Sequence, residues 1–414
     1  MMTKTVAVIG AGIVGVSTAI ELRRAGHEVV LIDRAGPATG TSHGNGGVLA
    51  AAAVLPVTGP GLWKKAPKML LDPDQPLFLR WSYLPKLMPW LMRYMSHANA
   101  EAALTRARAI APLLGDSLAD HLALAGGTPA EKWLVASDYV FAYPDRAAFE
   151  ADAFGWKTRS DLGFPHEVLE HGAFQAYDPA MSTDFALGVR QPNHGRITDP
   201  GHYVKDLATH AQSLGARLVI GEVRDFVEEG GRLTGLRIGG ETLPCDAAVV
   251  ATGVWSGPLA RRLGLEVPLE SERGYHLELW EPSVMPKSPV MFAAQKFVAT
   301  PMEGRLRLAG IVEFGGLDAP ASAAPFELLR RSIRKAMPGL TWTREVEWMG
   351  HRPSIADSLP VIGAAPRLAG VFVGFGHDHV GLTAGPKTGR LLAQLVSGQT
   401  PNFDLAPFAP DRFS

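Results

Sequence analysis

One cysteine, Cys245, stands in a chain of 414 residues. That scarcity excludes an internal disulfide framework and any cysteine-rich metal site, no metal is expected, and a reducing, cytoplasmic compartment is the simpler reading. An excess of one charge is missing as well. The 40 basic and 41 acidic side chains leave a net charge of −1, which gives no electrostatic footprint for nucleic acid. No uncharged run reaches the roughly 18 residues of a spanning helix, nothing repeats at a fixed period, and no segment is of low complexity. The apolar N-terminus lacks a small-residue cleavage site and reads as mature protein rather than a signal peptide. What remains is an ordinary core-forming composition, 46% hydrophobic and 20% charged, in a length that suggests two domains.

The most informative stretch is the beginning. VAVIGAGIVG reads as a buried parallel strand running into a helix, with Ile13, Val16 and Ile20 at helical spacing and three glycines at the turn. Gly10 allows the tight bend, Gly12 lets the backbone approach a pyrophosphate, and Gly15 permits close helix-to-strand packing. The helix N-terminus adds free amide donors and a partial positive charge. Gly26 sits where a helix-ending glycine belongs, and a second apolar strand ends in Asp33, about 20 residues past the glycines, where an acid accepts hydrogen bonds from a ribose diol. Arg34 follows and could suggest a 2′-phosphate, but Asp33 would repel it. An adenosine diphosphate without that group fits better.

Residues 36–54 are small and glycine-rich, with Ser42, His43 and Asn45 as polar side chains. Such a segment suits close approach to a flat ring or phosphate, and equally a flexible connector. His43 either lines a substrate pocket or hydrogen-bonds nearby backbone. Over residues 62–95, Trp63, Trp81, Trp90, Phe78, Tyr83 and Tyr94 mix with Lys64, Lys65, Lys68, Arg80, Lys86 and Arg93 between prolines. This composition fits peripheral contact with a membrane interface or a lid packed on its own domain. Residues 100–124 read as helical and 133–143 as a strand. Asp199 and Pro200 mark a helix start that Gly215 ends. Strands near 222–227 and 233–238 flank Gly230 and Gly231 as a hairpin, and Cys245 precedes an apolar strand as a small buried hydrophobe. Alternation over 269–348 suggests an antiparallel sheet with a helix over 325–337. Toward the C-terminus, GVFVGFG runs into a second glycine-flanked helix start that becomes helical by about Thr383 and favours negative charge.

Together, the glycine fingerprint with Asp33, the loop holding Asn45 and Gly47, VVATGVWS, RGYH, the GxRPxxxDxLPVIG pattern from Gly350 and the GHxxxGLT helix start resemble the D-amino acid oxidase superfamily of flavoproteins. Within it the chain is most similar to bacterial D-amino acid dehydrogenases, with glycine and sarcosine oxidases as relatives. The resemblance covers nearly the full length in the same order. It implies an α/β plus α+β fold: a Rossmann-like FAD-binding domain from residues 1–60, 186–268 and 349–414, and an antiparallel-sheet substrate domain from 61–185 and 269–348. It implies non-covalent FAD, since no cysteine stands near the C-terminus to bond the flavin. Contacts to FAD are then expected from Gly10, Gly12, Ile13, Val14, Gly15, Asp33 and Arg34 at the adenosine end. Thr41, Ser42, Asn45, Gly46, Gly47 and Val48 follow in the small-residue loop, and Val223, Ala251, Thr252, Gly253 and Trp255 further on. Gly376, His377, Val380, Gly381, Leu382 and Thr383 fall at the terminal helix start, which the resemblance places against the flavin pyrimidine.

The family's carboxylate-binding arginine falls on Arg352, whose planar guanidinium suits two parallel charge-assisted bonds to a carboxylate. The competing reading is a structural ion pair with Asp357 or another acid. Tyr275 of RGYH matches a position on the sheet covering the flavin, as a pocket-lining or a core tyrosine. His43, and the pair His377 and His379 around Asp378, depart from typical D-amino acid dehydrogenases and bear on substrate identity. The implied reaction is oxidation of a D-amino acid to a 2-oxo acid by hydride transfer to the flavin, with a quinone or O2 as acceptor. Oxidation of a secondary amine such as D-proline, or of sarcosine or glycine, shares every motif, and a non-catalytic flavoprotein is the remaining alternative.

Overall fold

The computed structural model describes residues 2–56, 58–62, 75–170 and 172–413. Trp63, Lys64, Lys65, Pro67, Lys68 and Pro73 lie outside the described residues.

Strand β1 (Thr5–Ile9) is buried almost throughout, as a run with both faces covered must be, and it leads into helix α1 (Ile13–Arg24). Strand β2 (Glu28–Asp33) lies parallel to β1 on one side and Ala247–Val250 lies parallel on the other. Val371–Phe375 and Arg217–Ile220 extend the row in parallel, and Val361–Ala364 closes one edge antiparallel, giving six strands. The C-terminal helix Gly381–Val396 packs against α1, so both helix N-termini open on the same end of the sheet. A small antiparallel sheet, Val223–Glu229, Arg232–Ile238 and Glu241–Pro244, is attached to this unit. Its hairpin turns on Gly230 and Gly231, both at positive φ.

The second sheet has ten strands, ordered along its main path as Arg344–Ile355, Leu269–Trp280, Arg305–Phe314, Phe297–Met302, Val290–Phe292, Leu134–Tyr143, Leu187–Ile197 and Val48–Leu49. It is mixed rather than purely antiparallel, because Val290–Phe292 pairs parallel with Leu134–Tyr143, and Leu77–Leu79 pairs parallel with Arg305–Phe314. Helix Ala323–Ala336 covers one face over a core that includes Leu277, Leu308, Phe326 and Leu329.

Sheet membership moves the expected boundaries. The strand Leu187–Ile197 pairs with Leu134–Tyr143, so the return to the first unit comes after residue 197 and not at 186. Arg344–Ile355 carries residues 349–355 into the second sheet, and Val48–Leu49 also pairs there. Helices Ala100–Leu114 and Ser117–Ala125 instead pack on the C-terminal helix of the first unit. The chain passes between the units more often than composition suggests, because alternation identifies a strand but not the sheet that takes it. The helix Pro200–Ser213 starts as expected, with the Asp199 carboxylate accepting from the His202 amide at 2.9 Å. Cys245 is buried. Among the described residues no helix is long and apolar enough to cross a membrane.

Candidate active site

Two cavities meet inside the molecule. The first, of about 630 Å3, starts at the carboxyl end of β1 and β2. Gly10 has φ +104, and a Cβ there would collide with the Ala251 carbonyl. A Cβ on Gly15, one turn into α1, would strike the Gly10 carbonyl, so Gly15 sits behind the cavity and supports its floor. The first turn of α1 holds no acidic side chain, Gly12 offers no side-chain cap, and Ile13 donates its amide to Ser42 Oγ at 3.0 Å. This end of the cleft is therefore mostly backbone, with Ser42 on the Ile13 amide and no acid in the first turn to offset the helix's partial positive charge, as suits a diphosphate.

Asp33 lines the same cleft, but its carboxylate is also tied to the main chain. Oδ2 accepts from Ala11 at 2.8 Å, and Oδ1 accepts from Ala35 at 2.9 Å and Gly36 at 3.0 Å. It stitches the glycine turn to the end of β2 as well as presenting its charge. The Arg34 guanidinium lies 4.0 Å over the Trp255 ring and both border the cleft, with Val223 beside them on the wall. Ala251, Thr252 and Gly253 form another wall, and Val14, Thr41 and Asn45 lie along the cleft. At the far end stand Gly376, His377, Gly381 and Leu382. Burial holds the His377 imidazole down at about 4, so it is neutral, and its Nε2 bonds Thr388 Oγ1 at 3.0 Å. Gly46, Val48, Val380 and Thr383 face the second cavity instead, and Gly47 borders neither.

The second cavity, of about 1040 Å3, is bounded by the ten-stranded sheet and the helix Leu84–Ser96. Thr41, Asn45 and Asp378 belong to both cavities and mark the seam. Arg352 lies in this second wall. It stands directly opposite Glu272 across paired strands, and its Nη1 donates to Glu272 Oε1 at 3.0 Å. Among the described residues its Nε and Nη2 make no hydrogen bond, leaving one edge of the fork open. Two residues along the strand, a Cβ on Gly274 would come within 2.6 Å of the Arg352 guanidinium carbon, so glycine lets the arginine lie across the sheet. The ion-pair partner is Glu272 and not Asp357, which instead binds Arg412 at 2.9 Å.

Strand alternation then corrects two expectations. Glu272, Gly274 and His276 face the Arg352 side. Arg273 and Tyr275 turn to the other, where Arg273 pairs with Glu313 at 2.7 Å and the Tyr275 hydroxyl donates to the same carboxylate at 2.6 Å. Tyr275 borders the large cavity, yet its ring packs on Phe326 and its hydroxyl is committed to Glu313, so it is a core residue. His43 lines neither cavity. Its side chain is exposed beside Gly201 at the start of the helix Pro200–Ser213, and its carbonyl accepts from Arg307. The small-residue loop is instead held by His276, whose Nδ1 bonds the Gly44 carbonyl at 2.9 Å and whose ring stacks on Trp348.

Sequence reading missed two polar residues of this cavity, Glu272 and Gln191, and named a third, His379, only for its bearing on substrate identity. Glu272 is buried beside Asp378, and burial first, then the Asp378 charge, push its carboxyl well above the ordinary range. His379 reaches the cavity with Nδ1 3.5 Å from Asp378; burial works against its charge, but the neighbouring acids prevail and raise its pKa. Gln191 is fully buried on the far wall, and neither its Oε1 nor its Nε2 has a partner. The signal for Glu272 was its position, three residues before Tyr275 and so on the opposite face. For Gln191 the sequence offers none. Among the described residues no cluster of His, Cys, Asp or Glu is arranged to hold a metal ion.

A glycine-built cleft suited to a dinucleotide meets, at one seam, a large cavity with Arg352 in its wall, the layout of a nucleotide-cofactor enzyme. The chain belongs to the DAO family, described as FAD dependent oxidoreductase, whose pattern matches residues 5–395. It is an FAD-dependent enzyme. It is 40% identical to a D-amino-acid oxidase of Bradyrhizobium diazoefficiens, over 99% of this chain and 98% of that one. It is 31% identical to a D-amino acid dehydrogenase of Allorhizobium ampelinum, over 99% and 98%. The fold matches glycine oxidase from Geobacillus kaustophilus with TM-score 0.75 at 24% identity, covering 100% of this chain and 99% of that one. It also matches L-proline dehydrogenase from P. horikoshii with TM-score 0.76 at 18% identity, covering 99% and 98%.

Proposed function

We propose that this chain oxidises the α-carbon of a D-amino acid, with FAD in the glycine-built cleft and the substrate carboxylate on Arg352. The placement of Arg352 carries the reading: an arginine braced by a buried acid, with its free edge in a cavity that meets the nucleotide cleft. When bound, FAD supplies the two-electron oxidant. The protein's own part is positioning. Arg352 orients the carboxylate and so the α-hydrogen toward the seam, and Gly274 keeps the wall beneath it low. A held near-attack geometry is worth roughly 7–11 kcal/mol of barrier. The α-carbon gives up a hydride and the neutral amine a proton, and water hydrolyses the resulting imine to a 2-oxo acid and ammonia.

The test is the anaerobic visible spectrum of the purified holoenzyme with pooled D-amino acids, D-proline included. Bleaching of the flavin band is expected, and an unbleached band would overturn the assignment and turn attention to N-methyl amino acids. Peroxide production in air then separates an oxidase from a dehydrogenase.

The electron acceptor reaches this site at a membrane surface in our reading. Trp81, Met88 and Met92 border the large cavity and are 60%, 39% and 65% exposed, with Lys86 and Arg93 exposed beside them. Apolar tips among cations suit an anionic lipid interface. Co-sedimentation with anionic vesicles that salt reverses is expected, and equal partition with neutral vesicles would overturn it.

A further inference from the structure

At the seam two buried acids, Asp378 and Glu272, share one arginine and one histidine, Arg352 and His379. Asp378 sits at φ +49, a left-handed conformation that favours glycine and that aspartate tolerates better than most residues. It is only 7% exposed, and its Oδ1 is buried without a hydrogen-bond partner, although the residue borders both cavities. Its Oδ2 lies 3.5 Å from His379 Nδ1. Glu272 is 4% exposed on the same wall and is already engaged by Arg352 at 3.0 Å. Buried acceptors of this kind are costly unless something donates to them.

We propose that Asp378, supported by Glu272, is the seat for the substrate's α-ammonium. This rests on the amino acid reading above and adds to it the residue that recognises the amine. With Arg352 holding the carboxylate, the two ends of a zwitterion meet opposite charges at the seam. The donor that meets the unpartnered Asp378 oxygen is then the amine at the other end of the same ligand. Burial, and then the charge of Asp378, raise the Glu272 carboxyl, consistent with two acids crowded into one apolar wall. The site would prefer amino acids to carboxylic acids of the same shape.

Two probes isolate this contact. 2-Aminoisobutyrate has no α-hydrogen and cannot be oxidised, and trimethylacetate replaces its ammonium by a methyl group. Each is titrated into the holoenzyme, with binding read from the flavin spectrum and by calorimetry. The wild type should bind 2-aminoisobutyrate at least ~10-fold tighter than trimethylacetate, as a charge-assisted contact implies. Asp378→Asn keeps the shape and the tolerance for positive φ, and should bring the ratio close to unity through loss of the amine-bearing ligand. Glu272→Gln should lower the ratio less. An unchanged ratio in Asp378→Asn, or a wild type without preference for the amine, overturns the proposal. So does loss of FAD from Asp378→Asn together with an unaltered preference in Glu272→Gln, which would put the oxygen on the cofactor. A wild type that binds neither ligand would instead sink the amino acid reading, and the ammonium seat with it.

Discussion

Where the nucleotide cleft takes its shape from main chain, with glycines at the turn after β1 and backbone amides at the start of α1, the adjoining cavity takes its character from side chains. Its central pair, Arg352 and Glu272, stands 80 residues apart in sequence and is joined only by strand register. The cleft starts locally, at one strand, one turn and one helix, and later segments around Val223, Ala251 and Gly376 complete its walls. The cavity is assembled from distant strands, so the chemistry there depends on which face of a strand each residue occupies. A local site tolerates changes in side chain but not in backbone. An assembled site fails when one side chain moves.

The sharpest test of this contrast is Arg352→Ala. It removes the fork proposed for the substrate carboxylate and leaves Glu272 buried without its cation, a loss that typically costs ~3–5 kcal/mol. We expect kcat/KM to fall by at least ~100-fold with flavin content near normal, and an unchanged kcat/KM would reject the carboxylate role. Next in size, Asp33→Ala attacks the local site. Three amide bonds to one carboxylate disappear, and about tenfold weaker FAD retention is expected from the ~1.5–3 kcal/mol that a charged hydrogen bond contributes. The ratio of flavin to protein absorbance after gel filtration reads it, and full retention would show that Asp33 matters to neither turn nor cofactor.

Gly274→Ala separates the two regions more finely. The added methyl meets the end of a flexible arginine and not backbone, so the fold should survive while Arg352 is pushed aside. KM should rise roughly fivefold or more with kcat and FAD content less affected. The same substitution at Gly10 would meet the Ala251 carbonyl at positive φ and should cost flavin binding outright.

A smaller effect follows from Glu272. Burial favours its protonated form and pushes its pKa up to about 7, while Asp378, Arg352, His379 and Tyr94 face it. The folded protein therefore keeps a proton that the unfolded chain releases above the ordinary carboxylate range. That contribution to stability is whole at low pH and fades as pH rises to about 7. Glu272→Gln should flatten this part of the profile, by roughly 2–3 kcal/mol between pH 5 and 8, measured from denaturant midpoints. An identical slope in the variant would mean that Glu272 stays ionised throughout, held so by Arg352.

This contrast also explains what could be read in advance. The cleft was legible because each part has a local signature: Gly10 for the bend, Asp33 at a strand end, Gly376 and Gly381 before a helix. Arg352 was legible only through its motif, and the identity of its partner was not, since register with Glu272 requires knowing that residues 269–280 and 344–355 pair. RGYH leaves Tyr275 open between pocket and core; it borders the cavity, but alternation from Arg352 across to Glu272 commits its ring to Phe326 and its hydroxyl to Glu313. His43 misled for the opposite reason: it lies in the right loop but points outward, while the histidine that holds that loop, His276, comes from a distant strand. The boundary at residue 186 failed because a strand between two units carries no mark of the sheet it will join.

Gln191 offers the finest distinction, since both of its amide atoms are buried without partners on the far wall of the assembled cavity. If that amide serves only the fold, Gln191→Leu should relieve an unmet polar burial and raise stability by up to ~1 kcal/mol, read as a melting temperature about 1–2 °C higher. If it reads the substrate side chain, the same variant should in addition raise KM for polar D-amino acids by a few-fold over apolar ones, since a buried polar contact is lost only for the former. We expect both changes. The amide has no role in packing that leucine could not fill, and its cost is tolerated where a ligand, not the protein, meets it. A variant that gains stability without any shift in substrate preference would confine recognition to the Arg352 wall and leave the far wall as shape alone.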